Sequence, residues 1–403
     1  MNTQKILHTQ DSSCSKAVEL CATDRCTGCG ACYNICPKEA IVMKEDSDGY
    51  LHPEINSGKC VECRMCMKVC PELNLSPKHK KTDRPIALVN KDKDILMKST
   101  SGGMFSLMSD YILKNNGKVY GVKMDKDFNV YHTFARNNAD LAGMRGSKYV
   151  QSSTGETYRM VKEDLKSGIM VLYTGTPCQV AGLLNYLGKT DRTMLYTADI
   201  VCHGTPSGKM FRTYISKLAA SKGVMPEDIS DFRFRELDRW GLLPSCSIKG
   251  KKMFLTYEDN VYMKLFLSSR INRECCYSCR YATQERVSDI TIADFWEIGR
   301  KRPFGYDTDK GCSMVLTNTD KGKELFGNIS QSAFYDYRDW EEAMYDNHQL
   351  YRPSHRPDDR EKAIGMLFCS SLKETFDFFV NTPLLRLRRT AADMLRFLKI
   401  KKS

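Results

Sequence analysis

Eight cysteines between Cys26 and Cys70 fall into one phrase used twice: Cys26-x2-Cys29-x2-Cys32-x3-Cys36-Pro37, then Cys60-x2-Cys63-x2-Cys66-x3-Cys70-Pro71. Thiolates at this spacing are ligands of bacterial-type 4Fe–4S clusters. Three Cys two residues apart wrap one face of a cubane, and the fourth swings away to the neighbouring cluster. The spacing therefore assigns Cys26, Cys29, Cys32 and Cys70 to one cluster, and Cys60, Cys63, Cys66 and Cys36 to a second. Zinc knuckles pair two short Cys repeats and have no use for a third evenly spaced Cys or the trailing Cys-Pro.

A second set of thiols lies further on. Thr174-Gly175-Thr176-Pro177-Cys178-Gln179 follows the apolar run Ile169 to Tyr173 and opens a helix, and Cys202-His203-Gly204-Thr205-Pro206-Ser207 follows the run Met194 to Val201. Ligands of open α/β sheets gather at such strand ends. Cys275-Cys276-Tyr277-Ser278-Cys279 precedes a third strand signal. Cys178, Cys202, Cys276 and Cys279 make a four-thiolate set for a third cluster, with Cys275 an alternative to Cys276. The competing reading is that Cys178 and Cys202 are small buried apolar residues, which is common for free Cys.

Two glycine-bearing stretches suit an anion. Ser101-Gly102-Gly103 stands at a helix start, where free N–H groups and the helix dipole favour phosphate, although a plain cap has the same signature. Arg145-Gly146-Ser147-Lys148-Tyr149 offers close backbone approach, a point charge and an aromatic ring.

The elements that position these residues alternate. Strands are expected at 86–90, 118–124, 130–136, 169–173, 194–201 and 288–296, with 130–136 turning back on 118–124 as a hairpin. Helices are expected from Ser101 to about Asn116, at about 155–167, and from a cap at Ser207 to Gly223, with a mostly helical chain from about 320. Strand and helix in alternation indicate an α/β body. The charged run Ser76 to Pro85 reads as a linker, and residues 1 to 25 as a loose lead-in in which Cys14 and Cys21 fit no ligand spacing.

The 403 residues carry a net charge of +12 and 18 Cys, with 41% hydrophobic residues. No run approaches the ~18 apolar residues of a membrane span. The start lacks an apolar signal segment, so this Cys content points to metal ligation in a reducing cytoplasm rather than disulfides. Each 4Fe–4S cluster with four thiolates carries roughly −2, so three would bring the total to about +6. Part of the basic excess thus neutralises cofactors, and no base-reading motif supports nucleic acid as a partner. The segment from Pro383 onward, LLRLRRTAADMLRFLKIKKS, reads as a basic amphipathic helix suited to an anionic membrane face or a partner protein.

The motifs in this order resemble the beta subunit family of coenzyme F420 hydrogenases and dehydrogenases, which also includes plant hydroxymethyl-chlorophyll reductase. The resemblance spans about residues 22–320. It is carried by the double cysteine run, Ser101-Gly102-Gly103-Met104-Phe105, Gly146-Ser147-Lys148-Tyr149-Val150-Gln151, Thr174-Gly175-Thr176-Pro177-Cys178-Gln179, Cys202-His203-Gly204, and Cys276-Tyr277-Ser278-Cys279 with Ser288-Asp289-Ile290 and Asp294-Phe295-Trp296. It implies a bound FAD, a third cluster on Cys178, Cys202, Cys276 and Cys279, and electrons exchanged between iron–sulfur centres and an organic acceptor. It further implies FAD contacts from Ser101, Gly102, Gly103, Gly146, Ser147, Lys148, Tyr149, Gln151, Thr174, Thr176 and Gln179. His203 is then a candidate proton donor, and Lys148 a candidate stabiliser of charge on reduced flavin.

The expected architecture is α/β (α+β): a lead-in (1–21), a small two-cluster ferredoxin-like domain (22–76), a linker (77–85), a larger mixed α/β flavin-binding domain in two parts (86–168 and 169–330), and a helical tail (331–403). The function expected is an iron–sulfur flavoprotein oxidoreductase served by ferredoxin or another redox partner protein. The competing function is an electron-transfer subunit that feeds a partner enzyme and has no substrate of its own.

Overall fold

The computed structural model describes residue 18, residues 20–236 and residues 240–381; Cys14 and the basic segment from 383 onward lie outside them. The two cysteine phrases fold as α1 (Ala31–Ile35), β1 (Ile41–Glu45), β2 (Leu51–Ile55) and α2 (Met65–Val69). The strands pair antiparallel, with Ile41 opposite Ile55 and Glu45 opposite Leu51. Cys36 and Cys70 cap the two short helices in extended conformation. The residue before a proline avoids helical backbone, so each Cys-Pro pair ends its helix and carries the fourth thiol away from the other three.

The chain from 76 to 85 is bonded to the body along its length. Ser76 Oγ bonds the Ala181 carbonyl at 3.1 Å and Asn185 Oδ1 at 2.7 Å. His79 N donates to the Arg286 carbonyl at 2.7 Å, and Trp340 Nε1 to that of Thr82 at 3.0 Å. These bonds strap the segment to the body, and its charge and proline content conceal them.

The body opens with β3 (Ile86–Asn90), α3 (Lys93–Met97), α4 (Met104–Lys114), β4 (Lys118–Met124), β5 (Val130–Ala135), α5 (Asn138–Ala142) and α6 (Thr157–Lys166). It continues with β6 (Val171–Gly175), α7 (Pro177–Leu187), β7 (Leu195–Ile200) and α8 (Gly208–Ser221). Next come β8 (Ile229–Arg233), β9 (Ser245–Ile248), β10 (Lys251–Phe254), α9 (Val261–Leu267), β11 (Ile290–Asp294) and β12 (Ser313–Thr317). The remainder is α10 (Asp320–Ile329), β13 (Ala333–Tyr337), α11 (Trp340–Met344), α12 (Arg360–Cys369) and α13 (Leu372–Phe379).

Eight strands form one sheet in the order β13-β3-β12-β11-β7-β6-β4-β5. Its centre, β11-β7-β6-β4, is parallel, and the flanks are antiparallel. The hairpin of β4 and β5 forms as expected, Val119 opposite Ala135. Alternation sorts the side chains. Leu172, Tyr196, Ile290 and Val315 face α4, α5 and α10, while Val171, Tyr173 and Leu195 face α6 and α7. β13 lies inside the stretch expected to be helical; it reads poorly because it is an edge strand with partly exposed aromatics. The β6 strand sits two residues later than the apolar run, because Thr174 and Gly175 still pair with Ala198 and Asp199.

A second core joins α8, α9, α12 and α13 to the small sheet β10-β9-β8. Ser207 caps α8 by accepting from Met210 N. The cysteine module does not stand apart, for Cys29, Ala31 and Val69 bury against α7 and Tyr50 enters the second core. No helix of the described residues is long and apolar enough to cross a membrane.

Candidate iron–sulfur and cofactor site

The structure gathers the N-terminal thiols in the crossed sets. Cys26, Cys29, Cys32 and Cys70 line one small cavity, and Cys36, Cys60, Cys63 and Cys66 line another. Backbone N–H groups point at the sulfurs: Gly28 N lies 3.4 Å from Cys26 Sγ and Ala40 N 3.3 Å from Cys36 Sγ. Such donors favour thiolate over thiol, so the donor set fits a cubane. Among the described residues no three His, Cys, Asp or Glu side chains close on a single ion. Cys21 lies at the first cavity, its thiol hydrogen-bonded to Cys26 and Cys70. The two cavities differ in exposure, since Cys26 and Cys29 are buried and Cys63 is open to solvent.

The second thiol set also converges. Cys178 stands in the first turn of α7, Cys202 follows β7, and Cys275, Cys276 and Cys279 lie on the loop before β11; all five line one cavity of about 400 Å³. Burial pushes Cys178 up, Cys202 up to about 12 and Cys279 up to about 11. Buried thiols of this kind stay protonated until a metal displaces the proton. Cys276 is the exception: hydrogen bonds from Cys275 and from Thr205 N, with the Arg273 charge nearby, hold it down at about 7.

A larger cleft of about 480 Å³ opens at the carboxyl ends of the parallel strands, the usual ligand position in such sheets and a usual ligand volume. Ser101, Gly103, Gly146, Ser147, Lys148, Tyr149, Gln151, Thr174, Thr176 and Gln179 line it, as does His203. Gly102 does not. A Cβ there would stand 2.0 Å from the Leu88 carbonyl and 2.4 Å from Ser313 N, so this glycine lets α4 approach β3 and β12.

Several of these side chains already have partners. Gln179 Oε1 accepts from Thr176 N and Thr176 Oγ1, both at 3.0 Å, and its Nε2 donates to Ser152. The Thr176-x2-Gln179 spacing is a capping box, a signal present in the sequence. Gln151 Nε2 donates to the Thr27 carbonyl at 2.8 Å. Thr174 Oγ1 donates to the Tyr120 carbonyl at 3.0 Å. Lys148 Nζ faces the carbonyls of Gly143, Met144, Arg145 and Gly146 at 2.9 to 3.3 Å. Burial pushes its pKa down to about 7, while those oxygens favour the charged form. The lysine thus braces its own loop. His203 Nε2 lies 3.1 Å from the Phe266 carbonyl and Nδ1 3.2 Å from Gln349 Nε2, and burial lowers its pKa. The Phe266 contact assigns its proton to Nε2.

The end of the cleft at the start of α4 is formed differently. Gly103 caps α4 with no side-chain bond to the first turn, which leaves helix N–H groups and dipole facing the cleft. Arg145 lines the same end, its Nε 3.1 Å from Ser106 Oγ.

Two arginines that motif reading did not single out organise the thiols. Arg273, 2% exposed, donates from Nε to the Cys26 carbonyl at 2.6 Å, from one terminal nitrogen to Gln151 Oε1 and from the other to the Leu51 carbonyl, both at 3.0 Å. It joins the cysteine module to the loop of Cys275 and Cys276. Arg286, also 2% exposed, pairs with Asp199 at 3.0 Å and donates to the carbonyls of Ile200 and Tyr281 at 2.9 and 2.8 Å. It ties the Cys279 loop to β7. Neither sits in a ligand-like spacing, and only tertiary contact reveals them.

Two family models match the chain. Residues 25–73 match the 4Fe-4S dicluster domain, and residues 169–343 match the C terminus of the coenzyme F420 hydrogenase/dehydrogenase beta subunit. No curated protein matches. Among solved structures, a chain of the F420-reducing [NiFe] hydrogenase complex from Methanosarcina barkeri, studied by xenon derivatization, is similar at 16% identity, covering 75% of this chain and 95% of that one, with a TM-score of 0.46. The chain thus carries a 4Fe–4S dicluster module, followed by a body whose residues 169–343 are similar to the C terminus of the coenzyme F420 hydrogenase/dehydrogenase beta subunit.

Proposed function

We propose that this chain is an iron–sulfur flavoprotein oxidoreductase, passing electrons between its ferredoxin-type clusters and an FAD in the 480 Å³ cleft, and on to an organic substrate. One observation carries the reading: Cys178, Cys202, His203, Gly204, Thr205 and Gln349 line both the thiol cavity and the cleft, so the two share a wall. Clusters carry single electrons and a flavin accepts two, which is the chemistry these groups supply when bound.

The chain's own residues do the rest. Cys178, Cys202, Cys276 and Cys279 hold the third cluster, with Cys276 favoured over Cys275 because the Cys275 thiol, then Thr205 N and the Arg273 charge, lower its pKa. The α4 N-terminus and Arg145 take the anionic end of the cofactor. Ser101 and Ser147 line that end. Lys148 holds the 143–146 loop against the cleft. His203 keeps its proton on Nε2 against the Phe266 carbonyl and braces the shared wall.

Anaerobic purification followed by iron, sulfide and flavin counts tests the reading. About 12 iron atoms and one FAD per chain are expected from three cubanes of four. Protein that lacks absorbance near 450 nm once its iron is accounted for, and that rejects added FAD, overturns it.

A further inference from the structure

Tyr281 stands two residues after Cys279, on the loop that Arg286 ties to β7. Its side chain is 5% exposed and packs with Cys29, Cys178 and Cys279. Its carbonyl accepts from Arg286 at 2.8 Å, so the residue is anchored from its backbone. The hydroxyl is buried and has no hydrogen-bond partner among the described residues. Seven buried side-chain atoms share that condition, and Tyr281 is the one residue among them that lines the cavity of Cys178, Cys202, Cys276 and Cys279. A buried phenol O–H normally finds an acceptor. The ionisable side chains in its surroundings are those of Cys178, Glu72, Cys29 and Cys279. Glu72 is occupied by Arg25 at 3.5 Å and Arg280 at 3.2 Å. Neither Glu72 nor a thiol bonds the hydroxyl, and sulfur of a bound cluster is the acceptor that the cavity would supply.

We propose that Tyr281 donates its hydroxyl hydrogen bond to sulfur of the cluster held by Cys178, Cys202, Cys276 and Cys279, and so sets how readily that cluster accepts an electron. The proposal rests on the third-cluster reading above. Hydrogen bonds to cluster sulfurs tune reduction potential, and a donor stabilises the more negative, reduced state. Tyr281 is thus a positioning residue for electron flow into the shared wall, while Cys279 is the ligand.

The test is Tyr281→Phe in the full chain, purified anaerobically beside the wild type, with iron counted and each cluster followed by EPR in a redox titration. The expected result is unchanged iron, unchanged N-terminal cluster signals, and a third-cluster midpoint shifted to more negative potential. Unchanged iron with an unmoved midpoint overturns the proposal, because the hydroxyl then meets only water. If Tyr281→Phe fails to assemble the third cluster, 3-fluorotyrosine placed at position 281 decides. Its more acidic hydroxyl moves the midpoint positive if it donates to sulfur and leaves it unmoved if it does not. A wild-type count near eight iron with no third signal is a separate outcome, which removes the third cluster itself.

Discussion

Cys29 Sγ lies 2.9 Å from the point where a Cβ on Gly182 would stand, and Tyr158 Oη lies 3.1 Å from it. Gly182 is four residues beyond Cys178 on α7, on the same helix face and about 6 Å along the axis. A proposed ligand of the first N-terminal cluster and a proposed ligand of the third are thus separated by about one helical turn. Of the eight N-terminal thiols, Cys29 of the first set is the one that packs into the core around α7.

Gly182→Ala is the direct test of that contact. If Cys29 ligates a cluster as proposed, the sulfur it would meet cannot yield, so overpacking of about 1–3 kcal/mol is expected. Anaerobic thermal unfolding of the iron-loaded protein should show the loss. Unchanged stability with unchanged iron would show that the module sits further from α7.

The crossed ligand sets make a prediction that a sequential assignment does not. Cys36→Ala and Cys60→Ala should remove the same cluster and leave the same EPR signal behind, and Cys70→Ala should instead match Cys26→Ala. If Cys36→Ala matches Cys26→Ala, each phrase binds its own cluster.

Arg286→Met leaves Asp199, which is fully buried, without its cation. Breaking such a pair typically costs about 3–5 kcal/mol. The Cys279 loop also loses its tie to β7, so about four iron atoms should be lost while the N-terminal eight remain. Iron analysis with EPR reads this, and a loss spread over all three clusters would count against it.

His132 provides a pH dependence. It is 5% exposed, its Nδ1 lies 3.0 Å from Ser152 Oγ and its Nε2 3.1 Å from the Thr174 carbonyl, and burial pushes its pKa down to about 4. The unfolded chain binds the proton near 6.5, so between 6.5 and about 4 the unfolded state holds more protons. Stability therefore falls as pH falls through that window, by up to about 1.4 kcal/mol per pH unit from this residue. His132→Gln should flatten that part of the denaturant-measured stability curve. Parallel curves for the two proteins would show that His132 is not buried neutral.

The body was legible wherever local signals were strong. The strands at 86–90 and 118–124, the hairpin that follows and the Ser207 cap all stand where periodicity and capping place them. The edge strand β13 and the small sheet of β8 to β10 were not, because short strands with exposed aromatics carry little alternation. The bonding of Gln179, Gln151 and Lys148 was hidden for a different reason. A motif says that a polar group is present but not which backbone atom has already claimed it.

What the sequence determined by itself is the inorganic chemistry of the N-terminal module: three of the four thiols in each set there sit in one short regular phrase, and such spacing is a local property. It also set the crossing of the two fourth cysteines, because Cys-Pro ends each helix. Only the tertiary structure decided that Cys178 and Cys202 are a shared wall, that Gly182 admits Cys29, and that Arg273 and Arg286 hold the assembly. The contacts of Arg273 with Cys26 and of Arg286 with Asp199 span 247 and 87 positions, and no local pattern records a partner at that distance.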